Sequence, residues 1–216
     1  MKPLVLDGLE DYARAHSSAP PPIYEDLRRA TQVTDAPQMQ VGHLEGRLLK
    51  LLVALSGAKV AVEVGTFTGY SALCIAEGLP DGGRCHTFDR DPVATAIAKR
   101  HWEKAPWGHK IELHLGDARD TLAAFLAGAE QPPGFAFIDA DKGGYIAYWD
   151  LLMAAMPVGS LIAVDNVLWS GRVLSPSGPD DHHIVAFNRH VAADPRVEQV
   201  LLTVRDGLTL ARKVRP

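Results

Sequence analysis

Cysteine is scarce: Cys74 and Cys85 are the only two in 216 residues. That excludes a disulfide framework and fits a reducing compartment, with both thiols in segments that call for small buried side chains. No apolar run approaches the ~18 residues that suggest a membrane span, and no basic stretch leads into an apolar one as in a secretory leader. A soluble, cytoplasmic protein is the expectation. The net charge is -4 with both signs scattered, which leaves no basic face for nucleic acid or an anionic membrane. Internal repeats, low-complexity tracts and composition breaks are also missing. The chain therefore reads as one domain over 1–216, with 1–56 as a helical cap and 57–216 as an α/β core.

Strand signals are absent before about Ser56. Leu4 to Ala15 and Ile23 to Thr31 read as short helices separated by Ser-Ser-Ala-Pro-Pro-Pro, and Val41 to Leu55 as a stronger one with apolar residues at Val41, Leu44, Leu48, Leu51, Leu52 and Leu55. From Lys59 the pattern becomes regular. Strands over 60–64, 84–88, 111–115, 134–138 and 160–164 alternate with helices over 70–78, 92–104, 118–128, 143–155 and 181–192. Such alternation requires right-handed crossovers, hence a mostly parallel sheet with helices on both faces. Val197 to Val204 and Leu208 to Lys213 are strand-like too, and only Arg205-Asp206-Gly207 separates them, which predicts an antiparallel hairpin. Seven strands with one reversed at the end resemble the Rossmann-like α/β sheet of class I methyltransferases.

The stretch from Lys59 to Ser71 organises the rest. Val60, Ala61, Val62 and Val64 make a strand covered on both faces, interrupted by Glu63, and Gly65 and Gly69 frame a loop before the next helix. The three glycines of the dinucleotide fingerprint are not there. A carboxylate at this corner would repel phosphates and welcome a cation. The simplest cationic nucleoside is S-adenosylmethionine; the bland alternative is an αβ corner with ordinary turn glycines.

Ligands of open α/β sheets bind beyond the carboxyl ends of the strands. Acids close all five parallel strands here: Glu63, Asp89, Asp117 after Gly116, Asp139, and Asp165 with Asn166. Each taken singly could be a helix cap or a loop carboxylate. Together they outline a nucleoside. Glu63 faces its methionine end, Asp89 the ribose hydroxyls, and Asp117 with the Ala118 amide the adenine edge. Asp139, Asp165 and Asn166 offer only oxygens, which suits a hard cation, Mg2+ first with Ca2+ or Mn2+ as alternatives, much better than zinc. Lys142, three residues after Asp139, could point to the same place, where a neighbouring cation disfavours its ammonium form and lets it act as a base. A surface lysine is the plainer reading.

The segments Met39-Gln40, Glu63 to Ser71, Phe137 to Lys142, Val164 to Trp169 with Gly171, and Asp206 to Leu210 resemble the cation-dependent O-methyltransferases related to caffeoyl-CoA and catechol O-methyltransferase. The bacterial, caffeoyl-CoA-like branch fits better than the animal catechol enzymes. The resemblance implies S-adenosylmethionine over Glu63, Gly65, Thr66, Ser71, Asp89, Asp117 and Ala118, with Met39 near the reacting methyl and Asp139 shared with the metal. It implies a metal at Asp139, Asp165 and Asn166, a catalytic Lys142, a substrate wall at Trp169, and commonly a homodimer that methylates vicinal aromatic diols. Tyr145 could border the substrate and Arg172 could meet an acidic tail of it. His182 and His183, at the start of a helix, are set aside. Two other readings stand beside this one: a metal-independent methyltransferase of the same fold, and a nucleoside-binding module without turnover.

Overall fold

The computed structural model describes residues 8–216. Leu4 to Asp7 of the first expected helix lie outside that range. The helices are α1 (Leu9–Ala15), α2 (Pro22–Thr31), α3 (His43–Ser56), α4 (Tyr70–Gly78), α5 (Pro92–Trp102), α6 (Ala118–Gly128), α7 (Tyr145–Ala155) and α8 (Pro179–Ala193). The strands are β1 (Val60–Val64), β2 (Arg84–Asp89), β3 (Ile111–Leu115), β4 (Phe135–Ile138), β5 (Leu161–Asp165), β6 (Val197–Leu202) and β7 (Leu208–Lys213). They form one seven-stranded sheet in the order β3-β2-β1-β4-β5-β7-β6. The first five strands run parallel, and β7 is antiparallel to both β5 and β6. The reversed strand is therefore not the sheet's edge. It lies between β5 and β6, which carries the turn before it toward the same edge as the strand ends.

Alternation along the strands separates two cores. Ala61, Phe135 and Phe137 face α3, α4 and α5, while Val62, Val64, Ala136 and Ile138 face α6, α7 and α8. Period-2 side-chain alternation in strands buried on both sides requires this division. Helices α2 and α3 dock on the core through half-buried Glu77 of α4. It accepts from Tyr24 Oη at 2.6 Å, Arg47 Nη2 at 2.9 Å and Lys50 Nζ at 2.6 Å. Ion pairs to Arg47 and Lys50 outweigh burial and hold Glu77 below its ordinary value.

Several boundaries shift by one or two residues from the sequence reading, α3 starting at His43 and β6 ending at Leu202 among them, and three have a plain local reason. Helix α5 stops at Trp102 because Pro106 is close and Gly108 folds back so tightly that a Cβ there would sit 1.8 Å from the Trp102 carbonyl. Helix α8 starts two residues early, with Pro179 at its first position, where a missing N–H costs nothing. The Gly143-Gly144 pair gives a single 3-10 turn, Lys142–Gly144, before α7 begins at Tyr145. Among the described residues no helix is long and apolar enough to cross a membrane.

Candidate active site

A cleft of about 1840 Å³ opens over the carboxyl ends of β1, β2, β4 and β5, with the 203–206 turn and the segment around Met39 on its rim. Its floor begins with the glycine loop. Gly65 has φ +99°, and a Cβ on it would lie 1.8 Å from the Asp139 carbonyl oxygen, so the β1 and β4 ends approach as closely as they do only without a side chain. Gly69, with φ +83°, opens α4, and its carbonyl accepts from Trp102 Nε1 at 3.0 Å.

Asp89 holds this loop. Its Oδ2 accepts from the amides of Thr66 at 2.9 Å and Phe67 at 2.8 Å, and Oδ1 accepts from the Asp91 amide at 2.9 Å. The carboxylate expected for ribose hydroxyls thus faces the cleft while spending most of its acceptor capacity on the backbone. Asp117 is also a helix cap, accepting from the Arg119 amide at 2.9 Å. The cap and cleft roles coincide, since Asp117 and Ala118 both line the cavity, as do Thr66, Ser71, Met39 and Asp139.

Glu63 departs from expectation. It does not line the cleft but lies wholly buried behind the loop, with Oε2 accepting from Thr87 Oγ1 at 2.5 Å and Oε1 without a hydrogen bond. The cause is its place in the middle of a strand covered on both faces. Burial pushes its pKa up to about 8 against the opposing pull of the Ser71 and Thr87 hydroxyls. Thr87 and Thr66 hydroxyls, 2.6 Å apart, link it to the loop.

The oxygen donors meet around one nitrogen. Lys142 Nζ donates to Asn166 Oδ1 at 2.7 Å, to Asp139 Oδ1 at 3.2 Å and to Tyr145 Oη at 2.6 Å. Asp165 closes the same end of the cleft, and its carbonyl accepts from Tyr145 Oη at 3.1 Å. Burial, then the Asp139 charge, drives the Asp165 carboxyl well above the usual carboxylate range, with Lys142 and Arg205 opposing. Asn166 takes a left-handed backbone, φ +59°, which asparagine tolerates better than most residues. Its Nδ2 points to Asp206 Oδ2 at 3.4 Å, so Oδ1 is the end presented to the site.

Two expected substrate contacts are corrected. Tyr145 is fully buried and does not line the cleft; it supports Lys142 from beneath, because its ring packs edge-on against Phe187 in the core. Arg172 does not line the cleft either. Its guanidinium stacks on the Trp169 ring at 4.7 Å and pairs with Asp181 at 3.3 Å, two local attractions that account for its position. Trp169 itself does line the cavity, with Lys142 Nζ 5.4 Å from its ring centre.

Two acids that the sequence reading passed over belong to the site's support. Asp206 in the β6–β7 turn accepts from the Ser170 amide as well as from Asn166, tying the Trp169 loop to the Lys142 end of the cleft. Glu45 of α3 is buried with neither oxygen hydrogen-bonded, its nearest cation Arg205 Nε at 3.5 Å. Burial and the adjacent Asp165 push its pKa well above the ordinary value. Asp206 sits in a stretch the family resemblance already covered, and Glu45 interrupts the apolar spacing of α3; those were the available signals.

Residues 14–214 match the sequence profile of the O-methyltransferase family. The chain belongs to the O-methyltransferase family. It is 37% identical to tricin synthase 1 of Oryza sativa subsp. japonica, over 98% of this chain and 90% of the relative. It is 35% identical to the caffeoyl-CoA O-methyltransferase of Petroselinum crispum, over 98% and 92%. Among solved structures, an O-methyltransferase from Bacillus cereus in complex with SAH superposes with a TM-score of 0.88 at 29% identity, covering 95% of this chain and 96% of that one. TomG of Streptomyces achromogenes, in complex with SAM, gives 0.89 at 26% identity with 99% of both chains covered. This O-methyltransferase is of the S-adenosylmethionine-dependent, caffeoyl-CoA type.

Proposed function

We propose that this O-methyltransferase is cation-dependent and transfers the methyl group to one hydroxyl of a vicinal aromatic diol of catechol or caffeoyl type. The observation that carries the reading is the convergence of Asp139, Asp165 and Asn166 oxygens at one end of the cleft, with the Lys142 ammonium drawn in among them. Burial and the neighbouring Asp139 charge favour the protonated form of the Asp165 carboxyl unless positive charge is added, and oxygen-only donors select a hard ion, Mg2+ before Ca2+ or Mn2+. When bound, the cation supplies charge that acidifies an adjacent hydroxyl, and the cofactor supplies a sulfonium methyl.

The chain's own groups do the rest. As the free amine, with its two hydrogens on Tyr145 Oη and Asn166 Oδ1, Lys142 Nζ would turn its lone pair to the cleft and take the phenolic proton. Trp169 offers a flat wall to an aromatic ring and Met39 closes the rim. Residues of the glycine loop, with Asp89, Asp117 and Ala118, hold the nucleoside end. Opposite charges vanish as phenolate meets sulfonium, so a dry site does not oppose the reaction. Positioning then carries most of the rate, worth about 7 to 11 kcal/mol when the reacting atoms are well placed. A homodimer, a cytoplasmic setting and one domain over 1–216 accompany this reading.

The test is a panel of catechols, with monophenols as controls, incubated with methyl-labelled cofactor in the presence and absence of a chelator. Label transfer to diols that stops on chelation and returns with Mg2+ is expected. Undiminished transfer in chelator would leave a metal-independent enzyme.

A further inference from the structure

A second group of ligand-type side chains lies away from the cleft, on the α6 face of the sheet. His86 of β2 is the register partner of Glu112 on the edge strand β3, and His114 follows Glu112 by two residues. Side chains at i and i+2 of a strand share a face. Glu112 and His114 therefore point the same way as His86, and the three meet across the β2–β3 ladder. His86 Nδ1 and His114 Nε2 are 3.1 Å apart, His86 Nδ1 is 3.7 Å from Glu112 Oε2, and His114 Nε2 is 3.8 Å from Glu112 Oε1.

Those separations carry a meaning beyond a hydrogen bond. Ligands at 2.0–2.1 Å from a tetrahedral ion stand about 3.3 Å from one another, and the three distances bracket that edge. One donor atom from each residue lies within 4.8 Å of the others, so the set needs adjustments of well under the length of a side chain to close on a common centre. Among the described residues this is the one group of three or more His, Cys, Asp or Glu side chains so placed. None of the three lines the catalytic cleft.

We infer that His86, Glu112 and His114 form a second metal site, with two imidazoles and one carboxylate for a borderline divalent ion of the Zn2+ class. The donor chemistry differs from that of the cleft, where only oxygens converge. Imidazole nitrogen suits zinc, cobalt, nickel and copper, and a three-residue set leaves a fourth position for water. The rings are fixed before any ion arrives. Phe125 of α6 lies 4.3 Å from the His86 ring, and His114 stacks on Phe88 at 4.6 Å with planes 12° apart. Glu112 is the exposed member, with its side chain 60% exposed, which leaves room for a rotamer that completes the shell.

The consequence is mechanical. Strand β3 has a neighbour on one side only, and an ion spanning His86 and the Glu112-His114 pair would pin that edge to β2. Phe88 also lines the cleft, so the site adjoins the cofactor pocket through one stacked ring.

Co2+ is the probe, because four-coordinate nitrogen–oxygen sites give intense visible absorption and six-coordinate oxygen sites give weak absorption. The full chain is titrated with Co2+, and Zn2+ is then competed against it with a chromophoric chelator. Four proteins are compared: the parent, Asp139→Ala to disable the cleft, Glu112→Gln and His114→Gln. The parent and Asp139→Ala are expected to show the intense bands at one equivalent. Glu112→Gln, at an exposed side chain that does not endanger folding, is expected to weaken Zn2+ by more than roughly tenfold, since even outer-shell partners contribute 10- to 100-fold. His114→Gln is expected to abolish the bands. Absence of intense bands in the parent, their loss in Asp139→Ala, or unchanged affinity in Glu112→Gln would overturn the assignment. The cleft reading fails separately, through chelator-resistant turnover.

Discussion

Replacing Glu63 by glutamine should change how stability depends on pH more than it changes stability itself. Glu63 is wholly buried, and its pKa stands at about 8 against an ordinary 4.5. A carboxyl raised in the folded state keeps its proton there while the unfolded chain has released it. Its contribution to stability is therefore fully present below about 4.5 and is lost as pH rises toward about 8, at about 1.4 kcal/mol for each pH unit inside the window. Between pH 5 and pH 7 the loss is about 2.5 kcal/mol, and glutamine cannot suffer it. The new amide would place a donor where Oε1 now lacks any partner, which costs about 1–3 kcal/mol at every pH and so shifts the curve without tilting it. Urea denaturation of parent and Glu63→Gln, free of cofactor and metal, at several pH values from 5 to 7 isolates the tilt. The gap between the two proteins should move about 2.5 kcal/mol in the variant's favour across that range, equivalent to roughly 5–10 °C in Tm for a chain of this size. All other titrating groups are common to both proteins and cancel. Parallel pH profiles would show that Glu63 is ionised in the fold and that the account of its burial is wrong.

Asp139→Ala removes an oxygen donor of the cleft and the carboxylate partner of Lys142. It should abolish cation-dependent turnover while calorimetry still detects S-adenosylmethionine binding; parent-like turnover in Mg2+-replete buffer would refute the donor assignment. Gly65→Ala sets a Cβ against the Asp139 carbonyl at a backbone angle of +99°. A loss of about 1–3 kcal/mol in denaturation, together with weaker cofactor binding, is expected, and a parent-like dissociation constant would mean the loop is not the nucleoside cradle. Asp206→Ala frees both the Ser170 amide and the Asn166 side chain. Cation affinity should fall roughly 10- to 100-fold and the diol KM should rise while the cofactor constant stays put; equal loss of all three would indicate a folding defect instead.

What the sequence revealed and what it concealed follow from the range of each interaction. Strand periodicity is local, and the strand-end rule converts it into geometry, so Asp89, Asp117, Asp139, Asp165 and Asn166 could be placed at one edge before any coordinates. Asp89 and Asp117 then turn out to serve their own backbones as well as the cleft, because amides two residues on, or one loop away, are always within reach of a strand-end carboxylate. Glu63 was misplaced by one layer. The alternation around it, Val62 and Val64 on one face with Ala61 on the other, already required a buried carboxyl, and burial in a doubly covered strand overrides the attraction of a ligand-facing role. Asp206 and Asn166 are 40 residues apart, and nothing in either neighbourhood announces the other; only the insertion of β7 between β5 and β6 brings the turn over the site. Arg172 illustrates the reverse case, since a free-looking cation beside Trp169 finds an aromatic face and an acid in the first turn of α8 first. Side chains that line the cleft could thus be named from spacing, whereas those whose partners are other side chains depend on the order in which the strands assemble. Glu45 is the extreme case: α3 reads as an apolar helix, yet it drives a carboxyl under Asp165. Burial beside Asp165 favours the protonated form of that carboxyl, whereas a cation in the cleft would favour its ionised form.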